Sequence, residues 1–125
     1  MLSRKKTWVL VGDGVKAQLY SLHAIPLRLT PVPSGRFRSG KARTRDLESE
    51  LEDKFVARVA AATNTAASAG KFDALILVAP PRALAAYRQH LDPTAKTKIK
   101  LQVRSEWTKL GIKEIEEHLA ARLPL

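Results

Sequence analysis

Gly70-Lys71-Phe72-Asp73-Ala74-Leu75-Ile76-Leu77-Val78-Ala79-Pro80-Pro81 is the stretch on which the fold turns. Its centre, Ala74 to Ala79, is six apolar residues without a break. A run this short, with no polar face, reads as a strand covered on both sides, the pattern of a central strand in a parallel sheet. Gly70 supplies the left-handed conformation that commonly ends a helix. Pro80-Pro81 opens the next helix, because proline is tolerated where the first amide lacks a partner.

Upstream of Gly70, Leu47, Leu51, Phe55, Val59 and Ala62 recur at helical spacing and predict one long amphipathic helix. Thr44 is its expected N-cap. Asp46, Glu48, Glu50, Glu52 and Asp53 crowd its first turns, where the helix dipole favours anions. That acidic cluster therefore reads as helix electrostatics rather than as an active site. Downstream of Pro81, Leu84, Tyr87 and Leu91 mark the inner face of a second helix, and Asp92-Pro93 ends it and caps one further short turn. Ile99, Leu101 and Val103 alternate with Lys98, Lys100, Gln102 and Arg104, as in a half-exposed strand. A last helix is expected from about Ile112 to Leu123, with Ile112, Ile115, Leu119 and Leu123 facing in.

The N-terminal part reads as antiparallel. Thr7 to Val11 is a short buried strand. Gly12-Asp13-Gly14 is turn chemistry, with Asp-Gly expected to supply positive φ angles. Val15 to Tyr20 alternates as a partner strand. A third, weaker strand is expected over Leu27-Arg28-Leu29-Thr30, ended by Pro31 and Pro33. The order is β-β-β-α-β-α-β-α. Alternation of strands and helices after the opening hairpin predicts a single α/β domain over residues 1–125, three layers deep, with a mixed sheet and right-handed crossovers.

The chain has 125 residues, 45% of them apolar, which supports a core without disulfides. It has no cysteine, so neither a disulfide framework nor a Cys-type zinc site is available. The basic start Arg4-Lys5-Lys6 is followed by too short an apolar run for an export signal, and no stretch reaches the ~20 apolar residues of a membrane span. A cytoplasmic protein without membrane contact is expected. The net charge is +10, and residues 1–45 carry +9 of it, with ten Lys/Arg against Asp13 alone. Such asymmetry favours a polyanionic partner, RNA or an acidic protein surface, beside its general effect on solubility.

Catalytic motifs are not found. His23, His90 and His118 fall on separate predicted elements. Glu114 and His118 share a helix face but make only two of the three or four ligands a metal needs, so a solvated face is expected there. Ser34-Gly35 and Ser39-Gly40 do not fit a serine-nucleophile elbow. Gly12-Asp13-Gly14 leads into a strand, unlike a dinucleotide fingerprint, and Gly40-Lys41 lacks the rest of a phosphate-binding loop. No cofactor, metal or catalytic residue is expected. The exception is Ser34 to Arg45, expected as a loop, which carries Arg36, Arg38, Lys41, Arg43 and Arg45, no acid, and one ring, Phe37. Guanidinium groups fork onto phosphates and a ring stacks on a base, so these six residues are the candidate nucleic-acid contacts.

Thr7 to Gly14, Arg36-Phe37-Arg38-Ser39-Gly40, Glu52-Asp53-Lys54-Phe55-Val56 and Gly70 to Pro81 together resemble the bacterial host attachment protein family, named for being required for attachment to host cells. The likeness runs over nearly the whole chain and departs at Ser105-Glu106-Trp107. The layout also resembles the middle domain of archaeal and eukaryotic peptide-chain release factors, in which a basic loop with Gly-Gly-Gln precedes the long helix. Here the place reads Arg38-Ser39-Gly40-Lys41-Ala42-Arg43, without the glutamine or the paired glycines. The resemblance implies ribosome or tRNA contact without peptidyl-tRNA hydrolysis. A protein-interaction module linked to attachment and an enzyme on a phosphorylated substrate are the rival readings.

Overall fold

The computed structural model describes residues 5–40 and 45–123, and of 45–49 the backbone alone. Its elements are β1 (Thr7–Gly12), β2 (Lys16–His23), β3 (Arg28–Arg38), α1 (Arg45–Ser68), β4 (Ala74–Ala79), α2 (Pro81–His90), α3 (Pro93–Thr97), β5 (Ile99–Arg104) and α4 (Ile112–Ala120). The strands form one mixed sheet in the order β3-β2-β1-β4-β5. β1 pairs antiparallel with β2 and parallel with β4, and β5 extends the parallel side.

Both crossovers, β1 to β4 and β4 to β5, step the same way across the sheet, which puts their helices on one face. Leu10, Leu75 and Leu77 point to that face and pack with Phe55, Val59, Leu84, Tyr87 and Ala95 of α1, α2 and α3. Val9, Val11, Ile76 and Val78 point to the other face, where Ile115 and Leu119 of α4 and Trp107 meet them. β4 is buried at every position, as its unbroken apolar run requires. α1 ends at Gly70 with φ +70°. The Lys71 amide donates to the Ala66 carbonyl and the Gly70 amide to that of Ala67, which satisfies two of the last carbonyls of the helix. Asp92 caps α3 by accepting from the Ala95 amide at 2.9 Å. The expected cap of α1, Thr44, lies outside the described residues.

The structure departs from expectation in three ways. β3 does not stop at Pro31 but runs on to Arg38. It is an edge strand, and prolines there need leave no ladder bond unmade. Its pairing jumps from Tyr20↔Pro31 to Gln18↔Arg36, so Val32–Gly35 bulge out opposite Leu19. Ser34 takes φ +61°, and a side chain at Gly35 would sit 2.9 Å from the Val32 carbonyl oxygen. Second, the β1–β2 turn uses no positive φ. The Asp13 carboxylate shapes it instead, its Oδ1 accepting from the Val15 and Lys16 amides, each at 2.8 Å. Third, Ile112 is 37% exposed rather than turned inward, and α4 ends at Ala120, although Leu123 still packs on the core.

Candidate nucleic-acid interface

Among its described residues, the expected loop from Ser34 to Arg45 is for the most part not a loop. Arg36, Phe37 and Arg38 are the last three residues of β3. Lys41 and Arg43 lie outside the described residues, and Arg45 begins α1 with its side chain undescribed. The strand assignment fixes which way the three described side chains point. Lys16 pairs with Arg38, Ala17 with Phe37, and Gln18 with Arg36. Residues directly opposite each other share a face, and successive residues alternate. Ala17 lies in the core on the α1 side, and Phe37 packs half-buried against the same cluster. Phe37 is therefore not a free ring in a loop. Lys16, Gln18, Arg36 and Arg38 point to the opposite face, the one α4 covers only in part.

There they border a groove of about 210 Å³, with Val11 and Tyr20 beneath and Trp107 and Thr108 at the side. Arg36 and Arg38 are exposed and Lys16 is half-buried. His90 with Asp53, at 3.0 Å, makes the ion pair found among the described residues, and it lies on the other side of the sheet. None of the three groove cations has a described carboxylate within ion-pair distance. The end of β3 is held in place from α1, where Arg58 donates to the Arg38 carbonyl at 2.8 Å and stacks over Phe55. The Ser39 amide donates to the Val15 carbonyl at 2.7 Å and closes the hairpin.

The wall of the groove is built by a polar cluster at the carboxyl ends of the parallel strands. Thr108 Oγ1 lies 3.0 Å from Asp13 Oδ2 and 2.5 Å from Glu106 Oε1, one hydroxyl between two carboxylates. The Tyr87 hydroxyl donates to the Asp13 carbonyl at 2.7 Å from below. Burial pushes the Asp13 carboxyl up, but its bonds to the Val15 and Lys16 amides and to the Thr108 and Glu106 side chains together outweigh it and hold the group below the ordinary carboxylate value. Burial, and then the charges of Asp13 and Glu106, push the Tyr87 phenol far up, so it stays a donor. Trp107 is 5% exposed, stacked on His118 at 5.2 Å with Arg122 over its ring.

Glu114 and His118 do not form a metal pair. Glu114 accepts from the Gly111 amide at the start of α4, while His118 lies on Trp107. No group of three or more His, Cys, Asp or Glu suited to a metal occurs among the described residues. None of the helices there is long and apolar enough to cross a membrane. Reasoning from sequence passed over Lys16, Gln18 and Thr108. The alternation of Lys16 and Gln18 with Ala17 and Leu19 carried the signal for the first two, but their neighbours across the ladder depended on extending β3 past its prolines.

A mixed five-stranded sheet between α-helical layers places the chain among the α/β proteins. The chain matches the family described as "Protein required for attachment to host cells" over residues 32–119, and it belongs to that family. The match leaves out Thr7–Gly14, which had contributed to the resemblance. No curated protein sequence matches the chain. Among solved structures it is similar to the archaeal translation termination factor aRF1, with a TM-score of 0.61 at 15% identity, over 86% of this chain and 32% of that one. A structure described as an archaeal protein matches with a TM-score of 0.51 at 12% identity, over 93% of this chain and 40% of that one. The chain thus spans well under half the length of either, and the likeness is one of fold.

Proposed function

We propose that this host attachment family member is a non-enzymatic binding module that contacts RNA, on the ribosome or as tRNA, through the sheet face bearing Lys16, Arg36 and Arg38. The carrying observation is the placement of these three cations on one groove with no described carboxylate paired to any of them. Cross-strand neighbours of like charge repel, and Lys16 directly opposite Arg38 is such a pair, so an anion on this face relieves a repulsion already built into the ladder. Lys41, Arg43 and Arg45 follow in the chain and extend the same basic segment. The likeness of fold to a translation termination factor adds support for a ribosomal setting, hence a cytoplasmic one. Peptide release is not part of the proposal, because no residue from Arg36 to Arg45 is glutamine.

The test is cosedimentation of the purified protein with ribosomes, and capture of tRNA, with and without nuclease. Nuclease-sensitive association that weakens in the Arg36→Ala/Arg38→Ala double variant is expected. Association that survives nuclease unchanged would contradict the RNA reading. A second reading, docking of a protein partner, draws on a separate observation. Ile25 is 68% exposed and Ile112 37%, and a groove of about 740 Å³ runs between Leu27, Arg28, Ile112 and Glu116. That reading takes first place if the ribosome and tRNA experiments are both negative.

A further inference from the structure

We infer that the groove bordered by Lys16, Arg36, Arg38 and Trp107 is a subsite for one phosphomonoester, the terminal phosphate of a single strand, rather than a track for a duplex backbone. The inference rests on the RNA reading above for the identity of the chain that carries the phosphate. It stands on the charge, the size and the walls of the groove.

Arg36 and Arg38 are two residues apart on one strand face, so their Cα atoms lie roughly 6.5–7 Å apart, and Lys16 is about 5 Å across the ladder from Arg38. All three cations line the one small groove. A phosphomonoester carries about −1.5 to −2 charge near neutral pH and three acceptor oxygens, which such a triangle matches better than the single charge of a backbone diester. Guanidinium groups bind it by forked hydrogen bonds, while the lysine acts as a point charge.

The volume, about 210 Å³, falls below the roughly 300–1,000 Å³ of pockets that engulf a drug-sized ligand. It has room for a phosphate and part of its sugar, and none for a duplex. The walls offer no stacking platform for a base. Tyr20 is 8% exposed, the Trp107 ring is occupied by His118 and Arg122, and Phe37, which also borders the groove, packs its ring half-buried against the α1-side core. Asp13 keeps its charge but does not line the groove, its Oδ1 turned to the Val15 and Lys16 amides and its Oδ2 set behind Thr108. Recognition here is of charge and chain end, blind to base identity.

The experiment uses the full chain and short single-stranded RNA carrying a 5′-phosphate, a 3′-phosphate or neither, with a matched blunt duplex lacking terminal phosphates, all at one ionic strength. Fluorescence anisotropy reads binding. One phosphorylated form is expected to bind about tenfold tighter than the unphosphorylated strand, and inorganic phosphate to displace it where chloride of equal ionic strength does not. Lys16→Ala and Arg38→Ala should each abolish that preference, with Lys54→Ala, an exposed cation on α1, behaving as wild type. Thermal melts of each variant establish that it is folded, and inorganic phosphate should raise the wild-type midpoint but not that of Arg38→Ala. Equal binding of all the single strands, or a duplex that binds as tightly as the phosphorylated strand, would overturn the subsite while leaving the RNA reading intact. If no RNA binds and phosphate still stabilises the wild type alone, the RNA reading fails and the subsite stands, with a small phosphorylated molecule as its source.

Discussion

The two sides of the sheet handle burial in opposite ways. On the parallel side, β4 is buried at all six positions between α1 and α2 on one face and α4 on the other. On the antiparallel side, the paired ends of β2 and β3 bury only the residues that face α1 and turn Lys16, Gln18, Arg36 and Arg38 toward open space. The first arrangement stabilises the fold. The second contributes less to stability and presents charge. Separating stability from recognition in this way makes each side testable by substitutions that should be silent on the other.

The largest effect belongs to the parallel side. Leu77, fully buried, should not tolerate aspartate, since an unpaired buried carboxylate costs several kcal/mol against a total stability of about 5–15 kcal/mol. Leu77→Asp is expected to be unfolded by far-ultraviolet circular dichroism, whereas Arg36→Asp, exposed on β3, should keep its unfolding free energy from urea titration within about 0.5 kcal/mol of wild type. A folded Leu77→Asp protein would break the comparison outright.

Glycines sharpen it next. Gly35 sits in the bulge, where a methyl group would press on the Val32 carbonyl at 2.9 Å and on Leu19 at 3.1 Å, so Gly35→Ala should cost about 1–3 kcal/mol. A side chain at Gly40 meets nothing within 4 Å, and Gly40→Ala should not destabilise. Urea titrations of the pair test whether the β3 bulge is as tightly built as its geometry implies.

Phe37 follows. Half-buried against the α1-side core, its truncation to alanine should cost about 1–2 kcal/mol of stability and leave RNA affinity nearly unchanged. The opposite outcome, lost affinity with stability intact, would return the ring to the recognition surface.

The smallest expected effect is one of pH. Asp13 is held below its ordinary value in the folded state, so its contribution to stability is complete above about pH 4 and is lost as the pH falls through the folded value. Asp13→Asn should be less stable at neutral pH and should lose less on acidification. Urea midpoints from pH 7 down to pH 3 give both slopes, and parallel slopes would contradict the role assigned to the turn.

The parallel side was readable from sequence because its signals are local and redundant. An apolar hexapeptide, a closing glycine at Gly70, an opening proline pair and a long amphipathic run all require the same arrangement. The antiparallel side was only partly readable. Pro31 and Pro33 argue against a strand on local grounds, and only β2 alongside shows that β3 resumes at Arg36. Of the candidate contacts, the arginines on β3 were legible as charge, but their common face with Lys16 was not, because it depends on a register set by a bulge. The packing of Phe37 on the α1-side core was hidden for the same reason, since in a loop it is free and in a strand it must alternate with its neighbours. The Asp13–Thr108–Glu106 cluster joins residues more than ninety positions apart, and no local pattern announces it.

The claim that the basic sheet face binds RNA is tested most directly by titrating single-stranded RNA across salt concentrations. Three cations gathered on one phosphomonoester neutralise about two charges, which predicts a log–log slope near −1.4, from roughly −0.7 for each, and a loss of affinity of about 7-fold between roughly 50 and 200 mM salt. Lys16→Ala, Arg36→Ala and Arg38→Ala should each flatten the slope and weaken all sequences alike. Absence of binding at low salt, or three variants with the wild-type slope, would contradict the account.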